Sequence, residues 1–191
     1  FDRGDRMADD PYLKLETIGR CQLLSRIGAG GMGVVYRGFH KDLDLAVAIK
    51  FLHPERVGHD RGAERFLREA RLAVKLNHPG IVRVLDCGQR DEHYYIVMEF
   101  VDGQSLEDHI KERGSLSVDR SLQIVEEAAR ALGTAYDQVG VIHRDIKPAN
   151  ILLTTSGQVK LADLGLAKIA VQPQPDATVD YSMDQTQGGV A

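Results

Sequence analysis

Cysteine is scarce. Only Cys21 and Cys87 occur in 191 residues. Two isolated thiols make neither a disulfide framework nor a metal cluster, and they fit a reducing compartment, so a cytoplasmic location is expected. Long apolar runs are missing as well. No stretch approaches the roughly 18 residues that a bilayer-spanning helix needs, so no membrane contact is expected of this segment. The opening, Phe1–Asp10, is polar and charged and lacks the layout of a secretory leader. It begins on Phe1 rather than Met, which is compatible with a fragment or with a start at Met7. Positive charge is not in excess. The formal net charge is -4, which argues against a nucleic-acid partner held by a general basic surface. There are no internal repeats.

What is present has the balance of a globular protein, with 43% apolar and 27% charged residues. The length suits one ordinary domain or two small lobes sharing a cleft. Residues 1–11 lack apolar periodicity and read as a tail. From Tyr12 to Val101 the text is strand-like, with Leu45–Leu52 (LAVAIKFL) apolar enough for a buried strand. One helix interrupts it over 62–77, where Phe66, Ala70, Ala73 and Leu76 form a stripe. Strands are expected over 81–87 and 94–100, with 88–93 as the turn. After Gly103 the period becomes helical. Ser105 and Ser117 are placed to cap two helices, and Gly114 and Gly140 to end them. Val118, Leu122, Val125, Ala129, Leu132 and Tyr136 predict the buried face of the second. Short strands follow at 151–153 and 159–162. The class is α+β rather than alternating βαβ.

Gly28-Ala29-Gly30-Gly31-Met32-Gly33 matches G-x-G-x-x-G. By itself this is weak, since a glycine-rich hairpin turn gives the same text. Its functional reading is a phosphate cover, in which missing side chains let backbone N–H groups approach an anion. A dinucleotide site needs a helix after the glycines, whereas Val34-Val35-Tyr36 is strand-like. Lys50 lies inside the apolar strand and needs either an anion or an escape to water along its stem. Glu69 is one candidate anion, although it also reads as an ordinary charge on a helix surface.

His143-Arg144-Asp145-Ile146-Lys147-Pro148-Ala149-Asn150 is far more specific, with a chance expectation on the order of 10⁻⁵. Each residue type suits phosphoryl transfer. Asp145 can accept a hydroxyl proton, Lys147 can steady a moving phosphoryl group, and Asn150 offers a neutral oxygen to a cation such as Mg²⁺. Asp163 offers a hard carboxylate to the same ion.

Taken together, these motifs resemble those of the Hanks-type serine/threonine protein kinases, bacterial branch, over about residues 20–170. The glycine loop, V-A-I-K, a helix glutamate, H-R-D…N and D-L-G occur in the family's order. Lys147-Pro148 is similar to the serine/threonine branch. The resemblance implies a bilobal protein-kinase-like fold. Residues 1–19 are a tail and lead-in, 20–101 a complete strand-rich N-lobe with one helix, and 102–170 a partial helical C-lobe. Residues 171–191 are part of an activation loop, expected to be disordered.

It also implies roles. Ile27, Gly28, Ala29, Gly30, Gly31, Met32, Gly33, Val34 and Val35 cover the ATP phosphates, and Ala48 packs on adenine with Ile27 and Val35. Met98 guards the back of the pocket, and the backbone of Glu99 and Val101 bonds adenine. Lys50, held by Glu69, contacts the phosphates. Asp145 is the base, Lys147 contacts the γ-phosphate, and Asn150 and Asp163 bind Mg²⁺. Arg144 pairs with an activation-loop phosphate, with Thr178 and Thr186 favoured over Ser182.

ATP, Mg²⁺ and a protein substrate with a Ser or Thr hydroxyl are therefore expected. Self-association for autophosphorylation is consistent with the resemblance, and no nucleic acid is expected. Leu164 stands where the family usually has Phe, and the A-P-E text does not occur in residues 165–191. The 191 residues alone are therefore expected to be poorly active. A nucleotide-binding pseudokinase or scaffold, and a small-molecule kinase, are the alternative readings.

Overall fold

The computed structural model describes residues 12–31, 33–53 and 61–164. The expected tail over 1–11, Met32 of the glycine loop, and residues 165–191 with Thr178, Ser182 and Thr186 lie outside these residues.

The first lobe is one antiparallel sheet with a helix against it. Its strands are β1 (Thr17–Ile18), β2 (Cys21–Gly30), β3 (Gly33–His40), β4 (Leu45–Leu52), β5 (Val84–Arg90) and β6 (His93–Glu99), in spatial order β1-β2-β3-β4-β6-β5. β4 explains the sheet. Its side chains alternate, and the strand is buried on both faces, which its near-continuous apolar text requires. Val47, Ile49 and Phe51 enter one core with Tyr36, Val97 and Ile18. Tyr12 closes that core by stacking on Phe51, ring centroids 4.5 Å apart. Ala48 and Leu52 enter the other core, with Phe66, Ala70, Ala73, Ile96 and Met98. Lys50 shares the parity of Ala48 and Leu52, so its ammonium is directed to the helix side. Tyr12 and Ile18, which precede residue 20, also pack in this core.

Helix α1 (Arg61–Val74) supplies the expected stripe, and Leu76 continues it beyond the last turn. The β5–β6 turn is tighter than the sequence suggests. The strands pair out to Arg90 and His93, and Asp91 takes the left-handed conformation (φ 54°) that a short polar side chain tolerates. At the glycine hairpin, a Cβ on Gly33 would stand 1.9 Å from the Phe51 carbonyl oxygen, so β3 lies against β4 as only glycine allows there. Cys21 and Cys87 are free thiols on different strands. Burial foremost, and then the Asp86 charge, pushes both above the ordinary thiol range.

The second lobe comprises β7 (Gly103–Ser105), α2 (Leu106–Arg113), α3 (Val118–Val139), β8 (Ile151–Thr154) and β9 (Val159–Leu161), with sheet order β7-β8-β9. Ser105 Oγ accepts the Asp108 N–H (3.0 Å), and Ser117 Oγ accepts that of Arg120 (3.2 Å). Gly140, with φ 68°, ends α3. β7 was not anticipated from the sequence. A Cβ on Gly103 would lie 2.1 Å from the Leu153 carbonyl oxygen, so glycine lets the chain pair with β8.

The face α3 buries overlaps the expected one only at Leu132, which is partly buried against the core. Ile124, Ala128, Ala131 and Ala135 pack under β8 and β9. Val118, Leu122, Val125 and Tyr136 are 60–74% exposed. Both stripes have helical spacing, and the alanine-rich one wins because small side chains let the helix approach the sheet. Among the described residues no helix is long and apolar enough to cross a membrane.

Two substitutions separate these faces. Ala131→Leu, at a fully buried site, should destabilise the 191-residue chain by about 1–3 kcal/mol through overpacking. Leu122→Ala should stay within about 0.5 kcal/mol. Urea unfolding of both variants provides the check, and equal effects would restore the sequence-based face.

Candidate active site

The two lobes meet at a cleft of about 660 Å³. Ile27, Val35 and Ala48 form its roof, Met98 to Val101 its back edge, and Leu152 and Ala162 its floor, with Asp163 at the inner end. Met98 also borders a cavity of about 10 Å³ behind the cleft, beside Ala73, Ile96 and Leu164. Val82 and Asp163 border both spaces with it. Gly28 and Ala29 line the cleft too. Val34 turns its side chain into the opposite core, so any contact it makes with a ligand is through its backbone.

The acidic end is built by local backbone geometry. After α3 the chain runs through irregular structure to a 3₁₀ turn at Pro148–Asn150, where proline occupies the first position. His143 is 2% exposed and joins two segments. Its Nδ1 accepts the Asp145 N–H (3.3 Å), which makes Nε2 the protonated nitrogen, and Nε2–H donates to the Ala162 carbonyl (2.9 Å). The Ala162 N–H in turn donates to the Asn150 carbonyl (2.9 Å). Arg144 and Asp163, on either side of this junction, adopt left-handed φ values of 65° and 59°. Non-glycine residues in that region are uncommon and cluster at functional sites.

These turns bring Asp145, Lys147 and Asn150 together. Asp145 pairs with Lys147, Nζ to Oδ2 2.8 Å. Asn150 Nδ2 donates to the Asp145 carbonyl (2.9 Å) and to its Oδ2 (3.0 Å). The planar amide therefore points its oxygen away from Asp145. The Lys147 hydrogen bond is the main cause that holds the Asp145 carboxyl below its ordinary range, with Asn150 assisting against partial burial. Asp145 is thus ionised at neutral pH.

Lys50 extends from β4 to Asp163, Nζ to Oδ2 2.7 Å. The ion pair of Lys50 is thus with Asp163, and Glu69, the expected partner on α1, is not part of it. A cation that is 6% exposed takes the anion the backbone delivers, and the left-handed turn at Asp163 delivers its carboxylate. Arg144 is exposed.

No group of three or more His, Cys, Asp or Glu that could hold a metal occurs among the described residues. Asp163 and Asn150 supply one carboxylate and one amide oxygen. That set suits Mg²⁺, which draws its remaining ligands from water and phosphate oxygens rather than from a protein cage.

Several lining residues were not singled out from the sequence: Leu152, Ala162, Val82, and Glu107 with Asp108 at the mouth. They are ordinary residue types whose role comes from the fold. His143 was read only as part of a motif. Lys160 had a usable signal, being a lysine within the short apolar strand β9, the same signal that marked Lys50.

The protein kinase domain family matches residues 21–186, and the chain belongs to that family. Among curated proteins it is 43% identical over 180 residues to the serine/threonine-protein kinase PrkC of Bacillus subtilis, covering 91% of this chain and 28% of that protein. It is 41% identical over 182 residues to PknA of Mycobacterium tuberculosis, covering 93% of this chain and 42% of that protein. A cysteine-to-alanine mutant of the M. tuberculosis PknI kinase domain superposes with a TM-score of 0.74 at 37% identity, over 80% of this chain and 62% of that one. The fold is therefore the bilobal protein-kinase fold. The chain spans less than half the length of these curated relatives.

Replacing Lys147 with Met removes the main cause of the low Asp145 pKa, so that pKa should rise toward the ordinary aspartate value. Carboxyl-carbon NMR titration of the chain measures it. An unchanged titration would show that Lys147 does not govern Asp145.

Proposed function

We propose that this chain carries the catalytic machinery for ATP-dependent phosphorylation of serine and threonine hydroxyls on proteins. The observation that carries the reading is a single junction. Asp145, ionised and held by Lys147 and Asn150, is tied through His143 to the strand end that presents Asp163 to Lys50, at the inner end of an apolar cleft.

In this reading Ile27, Val35, Ala48 and Leu152 sandwich adenine. The Glu99 N–H is already donated to the Arg83 carbonyl (2.9 Å), so adenine contacts fall to the Glu99 carbonyl and the Val101 backbone. The glycine loop, including Gly30, Gly31 and Met32, covers the phosphates. Lys50 orients them, and Glu69 supports Lys50 once the phosphates compete with Asp163 for its charge. Asp163 and the Asn150 amide oxygen hold Mg²⁺, which neutralises phosphate charge when bound. The substrate hydroxyl oxygen forms the new bond to the γ-phosphorus, the bond to the β–γ bridging oxygen breaks, and ADP departs. The hydroxyl proton passes to Asp145, and Lys147 balances charge on the transferring group.

The N-lobe of 20–101 and partial C-lobe of 102–170 are the working division. A cytoplasmic location, a protein substrate and self-association for autophosphorylation belong to the same reading. Arg144, exposed beside the base, is the partner for a phosphate on Thr178 or Thr186.

In the intact protein, Asp145→Asn should lower turnover about 10²–10⁴-fold with ATP affinity little changed. Labelled ATP with a basic protein acceptor measures the first, and calorimetry the second. A loss below tenfold would sink the assignment of the base. Intact-mass and peptide mass spectrometry of active protein should find phosphate on Thr178 or Thr186. Active protein without phosphate in 171–191 would remove that regulatory role.

A further inference from the structure

Lys160 is the middle residue of β9, between buried Val159 and Leu161 and across from Leu152 on β8. Its ammonium does not reach for water. Nζ lies 2.7 Å from Glu99 Oε1, and the two side chains are 16% and 31% exposed. The same oxygen accepts the Arg83 N–H at 2.9 Å, while the Glu99 N–H donates to the Arg83 carbonyl, also at 2.9 Å. Glu99 is thereby held at backbone and side chain at once. The segment just before Arg83 is itself fastened to β9. The Val82 N–H donates to the Leu161 carbonyl, and the Leu161 N–H to the Gly80 carbonyl, both at 2.8 Å. Two residues beyond Leu161 lies Asp163.

One side-chain ion pair therefore closes a ring that joins the connection between the lobes to the strand ending at the acidic centre. We infer that Lys160 is a positioning residue for nucleotide: through Glu99 it sets the register between the edge of the cleft that receives adenine and the Asp163 end that receives phosphates and metal. The inference rests on the kinase reading for the identity of the ligand. Lys160 touches neither end of that ligand. Its effect passes through the backbone of Glu99–Val101 on one side and of Leu161–Asp163 on the other. A partly buried pair of this kind is held by fixed elements on both sides, so less side-chain entropy is lost in keeping it than at an exposed pair.

The test compares wild type, Lys160→Met, Lys160→Arg, Glu99→Gln and the double variant in the intact protein. Calorimetry reads affinity for Mg-ATP and for adenosine, and steady-state assays read kcat and KM. Lys160→Met keeps the apolar stem and removes the charge. Mg-ATP affinity should fall about 3- to 30-fold, and adenosine, which spans only one end, should change less than about twofold. KM for ATP should rise with kcat nearly unchanged. Lys160→Arg should restore most of the loss, and the double variant should be no worse than the poorer single one.

Unchanged Mg-ATP affinity in Lys160→Met overturns the inference. So does an equal loss for ATP and adenosine accompanied by a lower melting temperature, which marks a purely structural role. A gain in kcat/KM also overturns it, since the pair then restrains the cleft rather than setting it. If wild type binds Mg-ATP without transferring phosphate, the kinase reading fails while the affinity comparison still decides the role of Lys160. If wild type binds no nucleotide, both fail.

Discussion

An ammonium placed inside an apolar strand is the constraint on which this structure turns. Lys50 belongs to β4, whose neighbours on both faces are core. An unpaired charge there costs several kcal/mol, and removing one partner of such a pair is strongly destabilising. The first lobe is met by the counter-charge from outside, as Asp163 arrives from the second lobe at 2.7 Å. Together with the apolar packing of Leu76 and Ile81 against the core of the second lobe, this ion pair joins the two lobes at the cleft. The cleft is therefore an electrostatic junction as well as a gap between packed layers.

The second lobe reaches that junction by unusual backbone. Two non-glycine residues in left-handed conformation, Arg144 and Asp163, flank a buried histidine that hydrogen-bonds both of their segments. Each costs of order 1–3 kcal/mol and persists only where surrounding contacts over-determine it. The fused tautomer choice at His143, the Asn150 amide on Asp145 and the Ala162–Asn150 backbone bond are those contacts. Strain and restraint sit within a few residues of one another, so the Asp145 and Asp163 segments are held to each other through His143.

Much of this was legible before any coordinates. The alternation in LAVAIKFL gives the parity that sends Lys50 to the helix side, and Ser105, Ser117 and Gly140 mark helix ends by cap chemistry. The H-R-D…N and D-L-G texts name the junction residues because their types are dictated by charge and hydrogen bonding. Three matters were not legible. Most of the buried face of α3 is not legible because two stripes share one period, and packing against β9 decides between them. β7 escaped because its pairing depends on a close contact between Gly103 and Leu153. The Lys50–Asp163 contact escaped because it depends on the backbone torsion at Asp163, which leaves no mark in composition.

The two thiols carry a practical consequence. Because burial and the Asp86 charge keep Cys21 and Cys87 above the ordinary thiol range, very little of either is thiolate at neutral pH, and only the thiolate reacts with alkylating probes. A cysteine introduced at an exposed position, such as Leu122 on α3, will therefore react ahead of both native ones. Spectroscopic reporters can be attached one to each lobe in the otherwise native chain, and the separation of the lobes across the cleft read directly as a distance.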